Sequence, residues 1–364
     1  MIKFGVTGDI IPSDSPLMCG QGVLSKSHEK WDDIFLELRN KVKDFDFLVA
    51  NFESVLVPAI PRISPGEAAM KSPVSVVDAL KKCKIKYLSV ANNHTMEYGP
   101  DAFLWMSDFL KKQGLITFGH CENPCVYAEY EGKKIGFFAF SSVPAMYGYT
   151  PLYYYVKSGD KKDESKLLKD IAVCKNLCDK LLIVPHWGNE FLTKPSKWQI
   201  SLAEKMLDSG ADGIVGMHPH IVQDSCYING KPVFFSIGNL LSDYFQKEFK
   251  KNLFVEITVD KDYDLSCRGE YFSCTGDFKI LALNDEFSFV EELEHISDEN
   301  YRIMANAARK KMRRQMILHL LKTWYVWGLN TGFISWIFRR ACFLFKNRKK
   351  INQDPNSVYN GPIH

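Results

Sequence analysis

The segment Tyr87-Leu88-Ser89-Val90-Ala91-Asn92-Asn93-His94 joins two kinds of chemistry end to end. Tyr87 to Ala91 is short, apolar and β-rich, as a strand covered on both faces must be. Asn92-Asn93-His94 then stops the run with amide and imidazole groups. Four other segments repeat the arrangement. Ile2 to Thr7 ends in Gly8-Asp9, and Phe45 to Ala50 ends in Asn51-Phe52-Glu53. Leu181 to Pro185 ends in His186-Trp187-Gly188, and Gly213 to Gly216 ends in Met217-His218-Pro219-His220. Helical patterns lie between them: Trp31 to Val42, Val74 to Leu80, Phe103 to Leu110 after Pro100, Lys162 to Leu177, and Trp198 to Leu207. Strand-helix alternation of this kind predicts an α/β fold.

Antiparallel pieces flank the alternation. Val126–Tyr130 and Lys134–Phe140 read as a hairpin around Glu131-Gly132-Lys133. Ser225–Ile228 and Val233–Ile237 flank Asn229-Gly230, the strongest short hairpin signal. Leu253–Val259 and Phe278–Leu283 read as edge strands. From about residue 293 the pattern turns helical.

The chain has 364 residues, room for one large domain or a domain with an appendage. Its net charge of +3 averages unlike parts. Thirteen Lys and Arg, with no Asp or Glu, fall between Arg302 and Lys350. The division expected is therefore an acidic body over 1–290, a basic, aromatic helical tail over 291–350, and a flexible end over 351–364. Trp324, Tyr325, Trp327 and Trp336 sit among the tail's cations. That mixture suits an anionic membrane surface, contacted through residues 302–350. A helical pair packed on the body and a short membrane span are the other readings of the same stretch. So many bulky apolar residues argue against a nucleic-acid arm, and no nucleic-acid partner is expected. The N-terminus reads as a strand from its first residues, so a cleavable signal peptide is not expected. Ten scattered Cys read as reduced thiols, with Cys121 and Cys125 in a loop and Cys174 and Cys178 on a helix. The expected location is cytoplasmic, peripheral at the inner membrane face.

Sites in α/β sheets form at the carboxyl ends of strands. Asp9, Asn51, Glu53, Asn93, His94, His186, His218 and His220 all stand at such ends. Mixed carboxylate, amide and imidazole donors suit Mn, Fe, Zn or Mg rather than a thiolate-bound ion. No phosphate-binding Gly-x-x-x-x-Gly-Lys loop, dinucleotide fingerprint or Gly-x-Ser-x-Gly elbow occurs.

In order, Gly8-Asp9-Ile10, Asn51-Phe52-Glu53-Ser54, Ala91-Asn92-Asn93-His94 with Tyr98-Gly99, His186-Trp187-Gly188-Asn189-Glu190, Gly216-Met217-His218-Pro219-His220 and Ser236-Ile237-Gly238-Asn239 resemble the CapA family. That family serves capsule and poly-γ-glutamate biosynthesis and is similar to calcineurin-like metallophosphoesterases. The resemblance covers roughly residues 1–245. It implies a four-layer α/β/β/α metallophosphatase-like sandwich, here with a C-terminal helical, basic-aromatic appendage. It implies a divalent metal cofactor, one or two ions, held by Asp9, Glu53, Asn93, His186, His218 and His220. His94 takes the place of the leaving-group acid, with Asp9 or Glu190 expected to orient it. Asn51, Asn92, Asn189, Glu190 and Lys71 are expected around the substrate, a phosphorylated or polymeric cell-surface precursor. Two departures stand out: Ile11 fills the first motif's His position, and Glu53 replaces a bridging aspartate. The resemblance thus implies a metal-dependent phosphoesterase-type hydrolase. A non-catalytic or weakly catalytic accessory protein of a membrane-associated synthesis complex is the second reading.

Overall fold

The computed structural model describes residues 1–15, 18, 22–58 and 70–327, together with Phe338 and Cys342. The 351–364 segment and most of the tail beyond Trp327 lie outside the described residues.

Strands β1 (Ile2–Ile10), β2 (Phe47–Phe52), β5 (Ile85–Ser89) and β6 (Ile116–Phe118) run parallel and adjacent. β14 (Asn252–Val259), β15 (Leu265–Cys274) and β16 (Ile280–Glu286) extend this sheet antiparallel beyond β1, and β13 (Asn239–Leu241) pairs with the end of β1. The second sheet has the order β11-β12-β10-β9-β8-β7. Its strands are β7 (Cys125–Tyr130), β8 (Lys133–Ser141), β9 (Lys180–His186), β10 (Gly213–Val215), β11 (Ser225–Ile228) and β12 (Lys231–Phe234). A small parallel pair joins β3 (Val55–Val57) to β4 (Lys71–Pro73).

The helices are α1 (Val23–Ser27), α2 (Trp31–Ile34), α3 (Leu36–Lys41), α4 (Val76–Lys82), α5 (Gly99–Lys112), α6 (Lys161–Lys175), α7 (Lys197–Asp208) and α8 (Asp298–Trp327).

The sheets face each other through an aromatic core. The ring of Phe137, on β8, lies 5.5 Å from Phe4, 5.9 Å from Phe47 and 5.4 Å from Tyr87. Its neighbour Phe138 turns to the opposite face, as strand periodicity demands. There Phe138 and Phe140 pack with Leu167 and Ile171 of α6 and Leu202 and Met206 of α7. Ile34, Leu38, Val76, Leu80, Phe103 and Leu110 cover the first sheet with helices. The result is the α/β/β/α layering that the family resemblance implies.

Some local expectations change. The Trp31 to Val42 helix is broken at Phe35 (φ −95°, ψ 6°) into α2 and α3. Cys125 opens strand β7 rather than sitting in a loop. Tyr153 and Tyr154 are buried, with hydroxyls bonded to the Val143 carbonyl and Asp170. The first half of α8 also packs on the body. Tyr301 and Ala305 cluster with Leu192 and Ile296, and Met312 Sδ accepts from Gln246 Nε2.

Two glycines let backbones meet beside the strand ends. A Cβ at Gly8 would lie 2.1 Å from the Gly238 carbonyl oxygen, and one at Gly216 would lie 2.1 Å from that of Phe235. Backbone cannot swing aside as a long side chain can. Gly8→Ala is therefore expected to lower stability by about 1–3 kcal/mol or more through overpacking. Urea denaturation at an unchanged m-value would show it as a lower midpoint.

Candidate metal centre

Parallel registry brings the polar strand ends together. Asp9 stands opposite Asn51, and Asn51 opposite Ser89, just before the loop that carries Asn93 and His94. In the facing sheet His186 ends β9 and bridges to Met217, one residue before His218. His218 (φ 96°) and His220 (φ 58°) both adopt positive φ, which is uncommon for a residue with a Cβ. Holding both costs conformational energy that the surrounding loop must offset.

Asp9, Glu53, His186, His218 and His220 converge in two overlapping groups. Glu53, His218 and His220 form one, and Asp9, Glu53 and His186 the other, with donor atoms of each within 4.8 Å of one another. Glu53 is common to both. Its carboxylate lies 3.5 Å from His186 Nε2, 3.8 Å from His220 Nδ1 and 3.9 Å from His94 Nε2. Asp9 accepts from Asn51 Nδ2 at 2.7 Å and from the His218 amide at 3.2 Å. Asn93 Oδ1 stands 2.9 Å from His186 Nε2.

The fit to a cation rests on orphaned atoms. Glu53 is fully buried, yet neither carboxylate oxygen has a hydrogen bond among the described residues. Both ring nitrogens of His218 and the Asn93 amide nitrogen are likewise buried and unbonded. Burial without partners costs several kcal/mol for such groups, and native proteins rarely tolerate it. A divalent cation would satisfy the carboxylate oxygens and an imidazole nitrogen at once.

The electrostatics agree. Burial, with the nearby Asp9 charge added, drives Glu53 well above the usual carboxylate range. Burial also pushes Asp9 up to about 7, against the bonds from Asn51 and His218. Burial, with neighbouring imidazoles, holds His186 and His218 well below the ordinary value, and His220 falls to about 4. Neutral imidazoles are the form that binds metal. Two adjacent buried carboxylates need a cation to ionise together.

His94 lies at the edge of this cluster. Its side chain is 16% exposed, and Nδ1 meets Glu97 Oε2 at 2.7 Å. Glu97, rather than Asp9 or Glu190, is thus the carboxylate that orients His94. Sequence reasoning missed it, although its spacing three residues after His94 was a usable signal. Glu97→Gln is expected to lower kcat about 10–100-fold at unchanged metal content, as loss of an orienting partner does. Steady-state kinetics beside metal analysis would check this.

The other expected residues take several places. Asn51 and Asn92 are buried under the cluster. Asn92 donates to Asn51 Oδ1 and the Phe52 carbonyl, and its Oδ1 accepts from the His94 and Thr95 amides. Asn189 and Glu190 are half-buried on the loop after His186, and Glu190 is close enough for its charge to act on Glu53. Lys71 Nζ lies 4.2 Å from the Tyr98 ring centroid, beside the His94 loop. Asn239 fixes His220, accepting from Nδ1 at 2.9 Å and donating to its carbonyl. Tyr244 packs on the same ring at 4.9 Å and was not anticipated. Ile11 is buried and binds Leu241 through its backbone amide, offering no donor side chain.

Fold and donor set together define an α/β-sandwich protein with a buried carboxylate-imidazole centre. The chain belongs to the bacterial capsule synthesis protein PGA_cap family, whose sequence profile matches residues 3–244. It is 29% identical over 238 residues to the PGA biosynthesis protein CapA of Bacillus subtilis (strain 168), covering 62% of this chain and 61% of that protein. It is 28% identical over 231 residues to the capsule biosynthesis protein CapA of Bacillus anthracis, covering 58% and 54%. The match thus spans less than two thirds of either relative's own length. A solved structure of a novel phosphatase from Mycoplasma pneumoniae aligns with a TM-score of 0.48 at 14% identity, over 75% of this chain and 93% of that one.

Proposed function

We propose that the chain is a metal-dependent phosphoesterase-type hydrolase acting on a phosphorylated or polymeric precursor in capsule, exopolysaccharide or poly-γ-glutamate biosynthesis. The observation that carries this reading is the orphaned, fully buried Glu53 carboxylate amid His186, His218, His220 and Asp9, with His94 at the rim. Asp9, Glu53, Asn93, His186, His218 and His220 would hold one or two divalent ions. A bound cation supplies a lowered water pKa and a polarised P–O bond.

The chain's own residues do the rest. His94 carries a proton on Nε2 toward the leaving oxygen, and Glu97 holds Nδ1 so that Nε2 points inward. Asn51 fixes the Asp9 carboxylate, and Asn92 fixes Asn51 and the His94 peptide. Asn239 locks the His220 ring. Lys71 attracts the anionic part of the substrate, and Asn189 and Glu190 hydrogen-bond its neutral polar groups. Purified protein should turn over p-nitrophenyl phosphate or bis-p-nitrophenyl phosphate with Mn, Fe, Zn or Mg. No bound metal and no metal-dependent turnover would overturn the reading.

The second reading, an accessory protein with weak or no catalysis, is favoured by Ile11, which removes a donor from the first metal position. In either reading we place the chain at an anionic membrane surface. Support comes from the exposed Arg302, Lys310, Lys311, Arg313 and Arg314 of α8. The aromatic stretch past Trp327 lies outside the described residues. Among those described, no helix is long and apolar enough to cross a membrane. Liposomes containing anionic lipid should float the full chain and leave a truncation at about residue 290 behind, with the difference lost at high salt. Equal flotation of both would sink the membrane contact.

A further inference from the structure

Tyr301, Ala305, Ala308 and Met312 recur at helical spacing and so share one face of α8. Tyr301, Ala305 and Met312 are buried, and Ala308 is partly so. This face is seated on two segments that adjoin the candidate metal centre. Tyr301 and Ala305 cluster with Leu192, on the loop that follows His186. Met312 Sδ accepts from Gln246 Nε2 at 3.4 Å, and Lys311 Nζ meets Glu248 Oε1 at 2.6 Å. One turn and a half further on, the His319 ring stacks on Phe245 at 4.7 Å.

The same two segments carry the rings that wall His220. Phe191, beside Leu192, lies 6.3 Å from the His220 ring, 6.0 Å from Tyr244 and 5.4 Å from Phe249. Tyr244 lies 4.9 Å from His220 and 5.1 Å from Phe249. The Phe191 amide donates to the Pro219 carbonyl at 2.9 Å, which ties the first segment to the residue between His218 and His220. Phe191 itself holds φ 69°, a conformation that a bulky side chain adopts only when its surroundings impose it. Three rings thus connect the seat of α8 to one of the converging imidazoles.

We propose that α8 is a clamp on the metal centre, and that Tyr244 is the positioning residue through which its docking reaches the His220 ring. The effect on cation affinity rests on the metal-dependent reading above, whereas the mechanical link does not. With the helix seated, the 189–194 and 244–249 segments are held from outside. His220 is then fixed by Asn239 at Nδ1 and by Tyr244 against its ring. With the helix released, both segments lose their outer contacts, and the loop that keeps His218 and His220 at positive φ has less to hold it. Donors already held in place bind more tightly, because less ordering remains to be done on binding. Arg302, Lys310, Arg313 and Arg314 stay exposed with the helix seated, so clamping leaves those cations open to an anionic surface.

The experiment uses the full chain without metal and reads amide hydrogen exchange peptide by peptide. Met312→Lys places a charge in the buried face of α8. It should speed exchange about tenfold or more in α8, in 189–194 and in 216–222, and leave the β7–β8 hairpin at its wild-type rate. Tyr244→Ala should speed 216–222, and Tyr244→Phe should restore it. Affinity for Mn or Zn, read by chelator competition, should fall about 10–100-fold in Met312→Lys and in Tyr244→Ala. The double variant should bind no more weakly than Tyr244→Ala, since both changes act through one contact. Should Met312→Lys fold poorly, Lys311→Glu tests the same seat from an exposed position. It should speed 216–222 about twofold to fivefold, and Lys311→Glu with Glu248→Lys should reverse this. If wild type binds neither ion, the cation reading fails, and the exchange rates still decide the clamp. Faster exchange confined to α8, wild-type exchange of 216–222 in Tyr244→Ala, or additive losses of affinity would overturn the proposal.

Discussion

His94→Ala is expected to lower kcat about 10²–10⁴-fold, the range lost with a general acid, while metal content stays unchanged. That range equals about 3–5 kcal/mol of transition-state stabilisation. The separation of effects follows from position. His94 belongs to neither of the two groups whose donor atoms converge within 4.8 Å. Its Nε2 faces Glu53 across 3.9 Å, and its Nδ1 is taken by Glu97. A stronger test varies the leaving group. p-Nitrophenolate departs near neutral pH with little need of a proton, whereas an alkoxide does not. The defect should therefore be small for p-nitrophenyl phosphate and large for an alkyl phosphate. A defect equal for both, or one accompanied by lost metal, would remove His94 from the acid role.

Much of this centre is legible in the amino-acid sequence, and the cause is physical. Strands buried on both faces in a parallel sheet read as unbroken apolar runs, so a polar residue at the end of each is conspicuous. Parallel registry then does the convergence, setting Asp9 opposite Asn51 and Asn51 opposite Ser89. Where strands leave that regime the signal fades. β15 escapes a reading by pattern because Leu265–Cys274 is half-exposed and carries Arg268 and Glu270, so it never forms an apolar run. Glu97 escapes it because strand-end logic does not extend into the following loop, where the turn geometry decides who reaches His94. The packing of α8 is hidden by its charge. Tyr301, Ala305 and Met312 face the body among many cations, and a basic stretch reads first as a solvated or lipid-facing one.

Adding Mn, Zn, Fe or Mg to chelator-treated protein is expected to raise its stability, and Glu53→Gln should abolish the rise. The physical basis is that a ligand bound by the folded state stabilises it by mass action, about 2.7 kcal/mol at a hundred times Kd. For a body of about 290 residues, with an unfolding entropy of about 0.6 kcal/mol/K, that corresponds to a Tm increase of about 4–5 °C. Glu53 is the residue on which the effect should turn. It is common to both donor groups, its oxygens are buried without hydrogen bonds among the described residues, and the neighbouring Asp9 charge pushes its carboxyl further up. Gln keeps the shape and removes the anion. Without metal it also removes a buried carboxyl beside a second one, an arrangement that favours neither charge. The metal-free variant should therefore be as stable as metal-free wild type or more so, and the order should reverse once metal is added. Such a crossing separates a ligand from a structural residue, since loss of a packing residue lowers both curves. If wild type gains nothing from any of the four ions, or if Glu53→Gln gains as much as wild type, Glu53 does not hold a cation.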